Sequence, residues 1–179
     1  QLSWFDQDLQ DEIDGFVFDP GTFLFTARNR ASDSTRKGLE AVFDARLAET
    51  FTFVATYTYT NAREENELGQ TLQEIRRPRH VASLSADYYF AAKHGNLNLN
   101  VNYNGTQQDD FYSPATYVAE RVEIAAYTVV NLAGTWKLTR RLDLIGRISN
   151  LFDQEYEEVL GFVRPGRAFY AGLRGRFDF

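Results

Sequence analysis

Cysteine is absent from the 179 residues, which excludes disulfide scaffolds, thiolate metal sites and cysteine nucleophiles. Histidine occurs only at His80 and His94, so general-base chemistry has few places to reside. No run of about 18 apolar residues occurs, and no helix is expected to cross a membrane; a barrel, which hides its apolar surface by alternation, stays open. Basic residues are outnumbered, 19 Lys+Arg against 25 Asp+Glu, and a nucleic-acid binder, which needs a basic face, is not expected. An initiating methionine and a signal-peptide succession are also lacking: Gln1 leads directly into Leu2, Trp4 and Phe5, so we expect a cut precursor or a piece of a longer chain. What is present, 44% hydrophobic residues with 15% aromatic, suffices for one domain with a sizeable core and is too apolar for disorder.

The recurring period is two. Leu97, Leu99, Val101 and Tyr103 alternate with Asn98, Asn100, Asn102 and Asn104, a separation no helix produces. Phe51, Phe53, Ala55, Tyr57 and Tyr59 alternate with Thr52, Val54, Thr56, Thr58 and Thr60, in residues that favour strands. The same pattern sets Leu39, Ala41, Phe43, Ala45 and Leu47 against Glu40, Asp44 and Arg46. It recurs around Leu84, Leu132, Leu144 and Leu173. About eight strands are predicted, at 2–18, 22–47 (kinked near Asn29 to Ser34), 51–65, 78–91, 96–110, 124–138, 141–152 and 166–179.

Connections carry more information than strands. Ala48 to Thr50, Ala92 to Gly95 and Thr139 to Arg140 are tight, whereas Asn66 to Arg77, Asp110 to Glu123 and Asp153 to Pro165 are long and polar. Short and long connections alternate, which in an antiparallel meander gathers all long loops at one end, as in an outer-membrane barrel; a soluble sandwich has no such segregation. Trp136, Phe90, Phe51, Phe177 and Phe179 are expected in an aromatic girdle at the short-turn end, and Tyr57, Tyr59, Tyr103 and Tyr127 toward the other. The inward rows of Thr and Asn are too small to fill a narrow closed barrel and suit one wall of a wide lumen.

The last third carries Tyr127-Thr-Val-Val-Asn-Leu, then Asp143-Leu-Ile-Gly-Arg-Ile-Ser-Asn150-Leu-Phe-Asp153-Gln-Glu-Tyr156, then Gly161-Phe-Val-Arg-Pro165-Gly166-Arg167 and a terminal Arg176-Phe-Asp-Phe179. Upstream stand Trp4-Phe-Asp-Gln-Asp-Leu, Thr35-Arg-Lys-Gly38-Leu-Glu40 and Arg77-Pro78-Arg79-His80. Together these resemble the C-terminal end of TonB-dependent outer-membrane receptors, over essentially the whole chain. The resemblance implies an all-β fold, an antiparallel transmembrane β-barrel of about 22 strands of which residues 1–179 would be the last eight, with the plug domain and TonB box absent. It implies a receptor in the outer membrane of a Gram-negative bacterium that binds and imports a scarce nutrient, a ferric siderophore or cobalamin. Its partners would be lipid and lipopolysaccharide, that ligand, the TonB complex through the plug, and the barrel assembly machinery through Phe177 and Phe179. The stretch Glu157 to Arg167 looks closest to the cobalamin-receptor branch. The alternatives are a self-contained eight-strand barrel with a structural or adhesive role, and a barrel hydrolase.

Among candidate sites, Phe111, Tyr112, Tyr117, Arg121, Phe162 and Arg164 lie in the long loops, where aromatics and arginines serve recognition. Asp6, Asp8, Asp11, Glu12 and Asp14 offer carboxylates to Ca²⁺ but lack the glycine turn of a loop site, and Asp6, Asp8, Glu12 and Asp14 read as one polar strand face. No metal or cofactor is therefore expected. Arg76, Arg77, Arg79 and His80 stand where a loop re-enters a strand; they read first as a solvated loop base, with lipopolysaccharide phosphates or an anionic ligand as the alternative partners. A hydrolase would need His80 with Ser83 or Ser85 and an orienting acid such as Asp87, yet no nucleophile elbow is present, so catalysis is not expected. Asn150 and Asp153 are expected to cap a sharp loop through local side-chain bonds, and Gly166, after Pro165, to supply positive φ at a turn.

Overall fold

The computed structural model describes residues 1–29, 33–66, 69–115 and 118–177. Its strands are Leu2–Leu9 (β1), Ile13–Asp19 (β2), Leu24–Asn29 (β3), Ser34–Leu47 (β4), Phe51–Glu65 (β5), Thr71–Gln73 (β6), His80–Phe90 (β7), Gly95–Asn104 (β8), Gln107–Tyr112 (β9), Ala119–Ile124 (β10), Tyr127–Lys137 (β11), Leu142–Ser149 (β12) and Ala168–Gly175 (β13). One antiparallel wall runs β1-β4-β5-β7-β8-β11-β12-β13, with β6 paired to the end of β5. The pairs β2-β3 and β9-β10 form separate two-stranded sheets. Within the wall no strand crosses over another, so sequence order is spatial order.

Register turns the alternation of each strand into continuous rows. Ala45, Phe53, Ala86, Leu99, Leu132, Ile148 and Phe169 stand opposite one another in succession from β4 to β13. On the other face the succession Arg46, Thr52, Asp87, Asn98, Ala133, Arg147 and Tyr170 is polar. Exposure is inverted relative to a water-soluble domain: Trp4 (67%), Phe43 (59%) and Leu173 (65%) are open. The few buried apolar residues among those described are Ala62, Ile124, Tyr127 and Val129. A contiguous exposed apolar face of this extent needs an apolar medium, and one-sided alternation is how a lipid-facing strand is written.

The long and short connections do segregate. Turns 48–50, 91–94 and 138–141 close one end, and segments 10–33, 66–79, 105–126 and 150–167 leave from the other. The 91–94 turn is tight enough to drive Ala91, Ala92 and Lys93 into left-handed backbone (φ 49°, 50° and 67°), which suits the twist of paired strands at some steric cost. Aromatic rings gather at this end: Phe90 lies 5.7 Å from Trp136 and 5.9 Å from Tyr88. Gly95 leaves room for the Phe90 ring, which a Cβ there would meet at 2.3 Å.

Several boundaries differ from the sequence expectation. The predicted strands 2–18 and 22–47 are each two strands, because β1 pairs with β4 from Leu2↔Ala41 to Leu9↔Ser34. The turn at 19–23 tips a β2-β3 hairpin inside the first long loop. Likewise 96–110 divides into β8 and β9, 124–138 belongs mainly to β11 with Ile124 closing β10, and the last strand begins at Ala168. Tyr127 is a further correction. It pairs with Asn104 on the polar face and is buried, bonded to the Asn104 amide with its ring 4.4 Å from Tyr156, so it is no girdle residue. Phe179 and Tyr117 fall outside the described residues.

Candidate functional site

The polar face is a ladder of short amides and hydroxyls that bond to one another. Thr56 Oγ1 and Ser83 Oγ lie 2.7 Å apart, and Asn98 donates to Asp87 at 3.1 Å. Asn102 donates to Asn100 at 2.6 Å, and Asn131 to Asn100 at 3.3 Å. Side chains this short leave space above the wall. At the loop end a cleft of about 630 Å³ opens over the inner face, lined among others by Asn102, Asn104, Tyr127, Asn131, Tyr156 and Arg164.

One corner of this cleft is built by the Asn-Leu-Phe-Asp and Pro-Gly-Arg elements. Asn150 and Asp153 both take left-handed backbone (φ 50° and 57°), which Asn and Asp tolerate better than other side chains. Asn150 donates to Gln154 O and accepts from Gln154 N, both at 2.9 Å, while its own N–H donates to Asn131 Oδ1 at 3.0 Å. Asp153 Oδ1 accepts from Arg167 N at 2.6 Å. The local capping expectation therefore holds for Asn150, whereas the Asp153 side chain ties the start of the loop to its far end. Gly166 serves differently from the expectation: its φ is not positive, and a Cβ there would lie 2.7 Å from Asp153 Oδ1, so the glycine gives room for the carboxylate.

The long loops are tied into one assembly by buried carboxylates. Asp109, fully buried in β9, accepts from Arg76 Nε (3.0 Å), Asp110 N (2.9 Å) and Leu160 N (2.9 Å), joining segments 66–79, 105–126 and 150–167. Burial pushes the Asp109 carboxyl up, but the Leu160 N–H, Arg76 and the Asp110 N–H together outweigh it and hold the group below the usual carboxylate value. Gln107 donates to Glu158 O at 2.8 Å, and Ile75 bridges Gln108. Arg121 reaches Gln73 O (2.6 Å), Glu64 (3.0 Å) and Asp110 (3.0 Å). Arg36 contacts Glu12 at 2.7 Å and Glu74 at 2.9 Å, and Arg77 also meets Glu74 at 3.3 Å.

The sequence-predicted loop residues are distributed through this assembly. Phe111 and Tyr112 lie exposed on β9 in the hairpin that also holds Arg121. Phe162 projects from the last loop, 71% exposed, and Arg164 pairs with Glu158 at 2.8 Å on the cleft wall. Arg121 is engaged by two carboxylates and a carbonyl. Sequence reasoning passed over Asp109, whose Gln-Gln-Asp-Asp setting has no periodic signature, and Tyr156. It also passed over Tyr127 as a cleft residue, although its even spacing from Asn131 places it on the inner face.

The other candidate sites resolve into ordinary contacts. Glu12 is held by Arg36 and by Ser34 Oγ, and Asp6 pairs with Lys37 at 3.2 Å. Asp6 shares the face of Leu2 and Trp4, so the acidic residues do not line one polar strand face. Among the described residues no three His or carboxylate side chains gather as metal ligands. His80 Nδ1 lies 2.8 Å from Tyr57 Oη, and its ring packs against Tyr57 and Tyr59 on the outer face. Ser83 and Ser85 are inward, bonded to Thr56 and Asn98, so the sheet separates the residues a hydrolase would need.

Comparison with known proteins agrees with this geometry. Residues 1–151 match the family described as TonB dependent receptor-like, beta-barrel. The vitamin B12 transporter BtuB of Photobacterium profundum is 30% identical over 122 residues, 68% of this chain and 18% of that protein. The ferripyoverdine receptor of the outer membrane of Pseudomonas aeruginosa, bound to ferripyoverdine, superposes with a TM-score of 0.77 at 20% identity. That match covers 97% of this chain and 24% of the receptor. The ferric-catecholate import receptor Fiu from K12 E. coli gives 0.74 at 19% identity, covering 98% of this chain and 25% of that one. The chain thus spans less than a fifth of the curated relative and about a quarter of each solved receptor, and the structural likeness at these identities is one of fold.

Proposed function

Because the chain belongs to the TonB-dependent receptors, as part of their β-barrel, we propose that it forms a wall of an outer-membrane receptor that binds and imports a scarce nutrient, a ferric siderophore or cobalamin. The observation that carries this reading is the division of one sheet into an apolar outer face and an amide-lined inner face, with all long loops bound together at one end over a polar cleft. Such a wall separates lipid from a hydrated passage, and its loop end presents recognition groups to the outside. The vitamin B12 relative supports cobalamin, and the likeness to siderophore receptors supports the broader class.

In this reading Phe111, Tyr112, Tyr117, Arg121, Phe162 and Arg164 form the ligand-facing surface. The outer face meets lipid, and lipopolysaccharide packs around the loop end. Coupling to the TonB complex runs through a plug, and Phe177 with Phe179 belongs to the signal read by the assembly machinery. The role is binding and passage, not catalysis. The test is uptake of labelled cobalamin and a panel of ferric siderophores by cells with the gene intact, deleted and restored, each with and without a dissipated proton gradient. Energy-dependent uptake lost on deletion and regained on restoration is expected. Unchanged uptake of every ligand on deletion would refute the proposal.

A further inference from the structure

Five arginines around the loop end are matched to carboxylates. Arg36 meets Glu12 and Glu74, Arg76 meets Asp109, Arg77 meets Glu74, Arg121 meets Glu64 and Asp110, and Arg164 meets Glu158. Arg79 has no such partner among the described residues, and its Nε is buried without a hydrogen-bond acceptor. A buried charged donor left unmatched is costly and calls for an explanation. The residue is held in place by its backbone, since Thr60 N donates to Arg79 O at 2.9 Å. That ladder bond extends the strand alternation back from Val81, which stands opposite Asn104 on the inner face. Arg79 therefore sits roughly 7 Å beyond Val81 on the same side, at the outer rim of the cleft that Val81, Asn102 and Asn104 line.

We propose that Arg79 is an anion-binding residue at the mouth of the inner face, taking a two-oxygen anion of carboxylate or phosphate type. Nε and one Nη of a guanidinium form the side-on fork that matches two anionic oxygens, and Nε is the donor left without an acceptor here. The oxygens belong either to a solute entering from the loop end or to a carboxylate elsewhere in the receptor. The chemistry is the same in both cases. This assignment rests on the receptor reading above.

The test uses outer-membrane vesicles carrying the whole receptor. Phenylglyoxal modification of Arg79 is followed by peptide mass spectrometry, alone and with millimolar citrate or inorganic phosphate. Several-fold slowing at Arg79 by the added anion, with the already paired Arg76 and Arg121 unchanged, is expected for a solute source. In parallel, the Arg79→Lys receptor is treated with a carbodiimide. A crosslink from position 79 to a receptor carboxylate, without protection of the wild type by added anion, upholds the site and assigns it to the protein's own carboxylate. Neither protection nor crosslink overturns the proposal. Gene-dependent uptake scored on the same cells keeps the two readings apart: uptake that persists while Arg79 shows neither effect removes this inference alone, whereas no gene-dependent uptake removes the receptor reading whatever Arg79 does.

Discussion

Asp109→Asn keeps the shape of the residue at the centre of the loop assembly and removes its charge. The carboxylate accepts from Arg76 Nε at 3.0 Å, with the Nη2 of the same ion pair also 3.0 Å away, and from the backbone N–H groups of Asp110 and Leu160, both at 2.9 Å. An amide has one acceptor oxygen, so at least one of these donors would face an NH₂ group. Breaking a buried ion pair by removing one partner costs ~3–5 kcal/mol. Arg76 is about half exposed and regains water, so the low end, about 3 kcal/mol, applies. That raises local opening of the loop assembly on the order of 100-fold. The assay is hydrogen exchange of the membrane-embedded receptor, read on peptides covering 105–112 and 157–163. Exchange there should accelerate while peptides within β11 and β12 stay as they were. Wild-type exchange at the Leu160 amide would refute the reasoning. Acid offers the same test without a mutation. Because the folded carboxyl lies below the usual value of about 3.9, its stabilisation is complete above that pH and is lost as pH falls through the folded value. The assembly should therefore stay closed at pH 5 and loosen only in stronger acid.

Further outcomes follow from the wall and its turns. Leu99→Arg on the apolar row should cost about 2–4 kcal/mol, whereas Asn98→Ala on the opposite face should cost on the order of 1 kcal/mol; heat-modified gel mobility of the receptor separates the two. Gly38→Ala would push a Cβ to 2.2 Å from Tyr59 O and 2.4 Å from the Phe5 ring, and should destabilise by about 1–3 kcal/mol. Gly172→Ala, with nothing within 4 Å, should leave the unfolding midpoint in place. Ala92→Gly should stabilise by about 1 kcal/mol by relieving left-handed backbone in the 91–94 turn, read as a higher denaturant midpoint. Asn150→Ala removes the bonds to Gln154 and should loosen the last loop by roughly 1–2 kcal/mol, seen as faster proteolysis within 150–167.

The wall was largely legible because its signals are local. The Asn/Leu alternation of β8 fixes faces without knowledge of neighbours, and the tight turns at 48–50 and 91–94 announce themselves in short spans. The first two strands were misjudged for the same reason. Residues 13–29 alternate around a turn as a wall hairpin does, and Phe18 packs on Phe23 and Phe25, but what decides their place is the pairing of β1 with β4 some 30 residues away. The loop assembly was the least legible part. Asp109, Arg121 and Glu74 owe their roles to partners in other loops, and an isolated acid in polar text looks the same whether it is solvated or buried. Where a local motif did lie in a loop, as at Asn150 with Gln154, its chemistry is readable from the sequence.

The sequence-ordered wall also bears on how the protein is made. Each strand adds beside the one before it, so pairing can propagate as a chain of hairpins of modest contact order, with the tight turns setting the pace. The Asp109 knot is of another kind: its partners Arg76 and Leu160 lie 33 and 51 residues away, and it can close only after β7, β8, β11 and β12 are aligned. Changes at Ala92 should then alter the rate of assembly. Changes at Asp109 should leave that rate alone and act on the reverse step, as expected for contacts absent from the transition state. Durability of the outer surface and speed of insertion would thus be set by separate residues, free to vary independently.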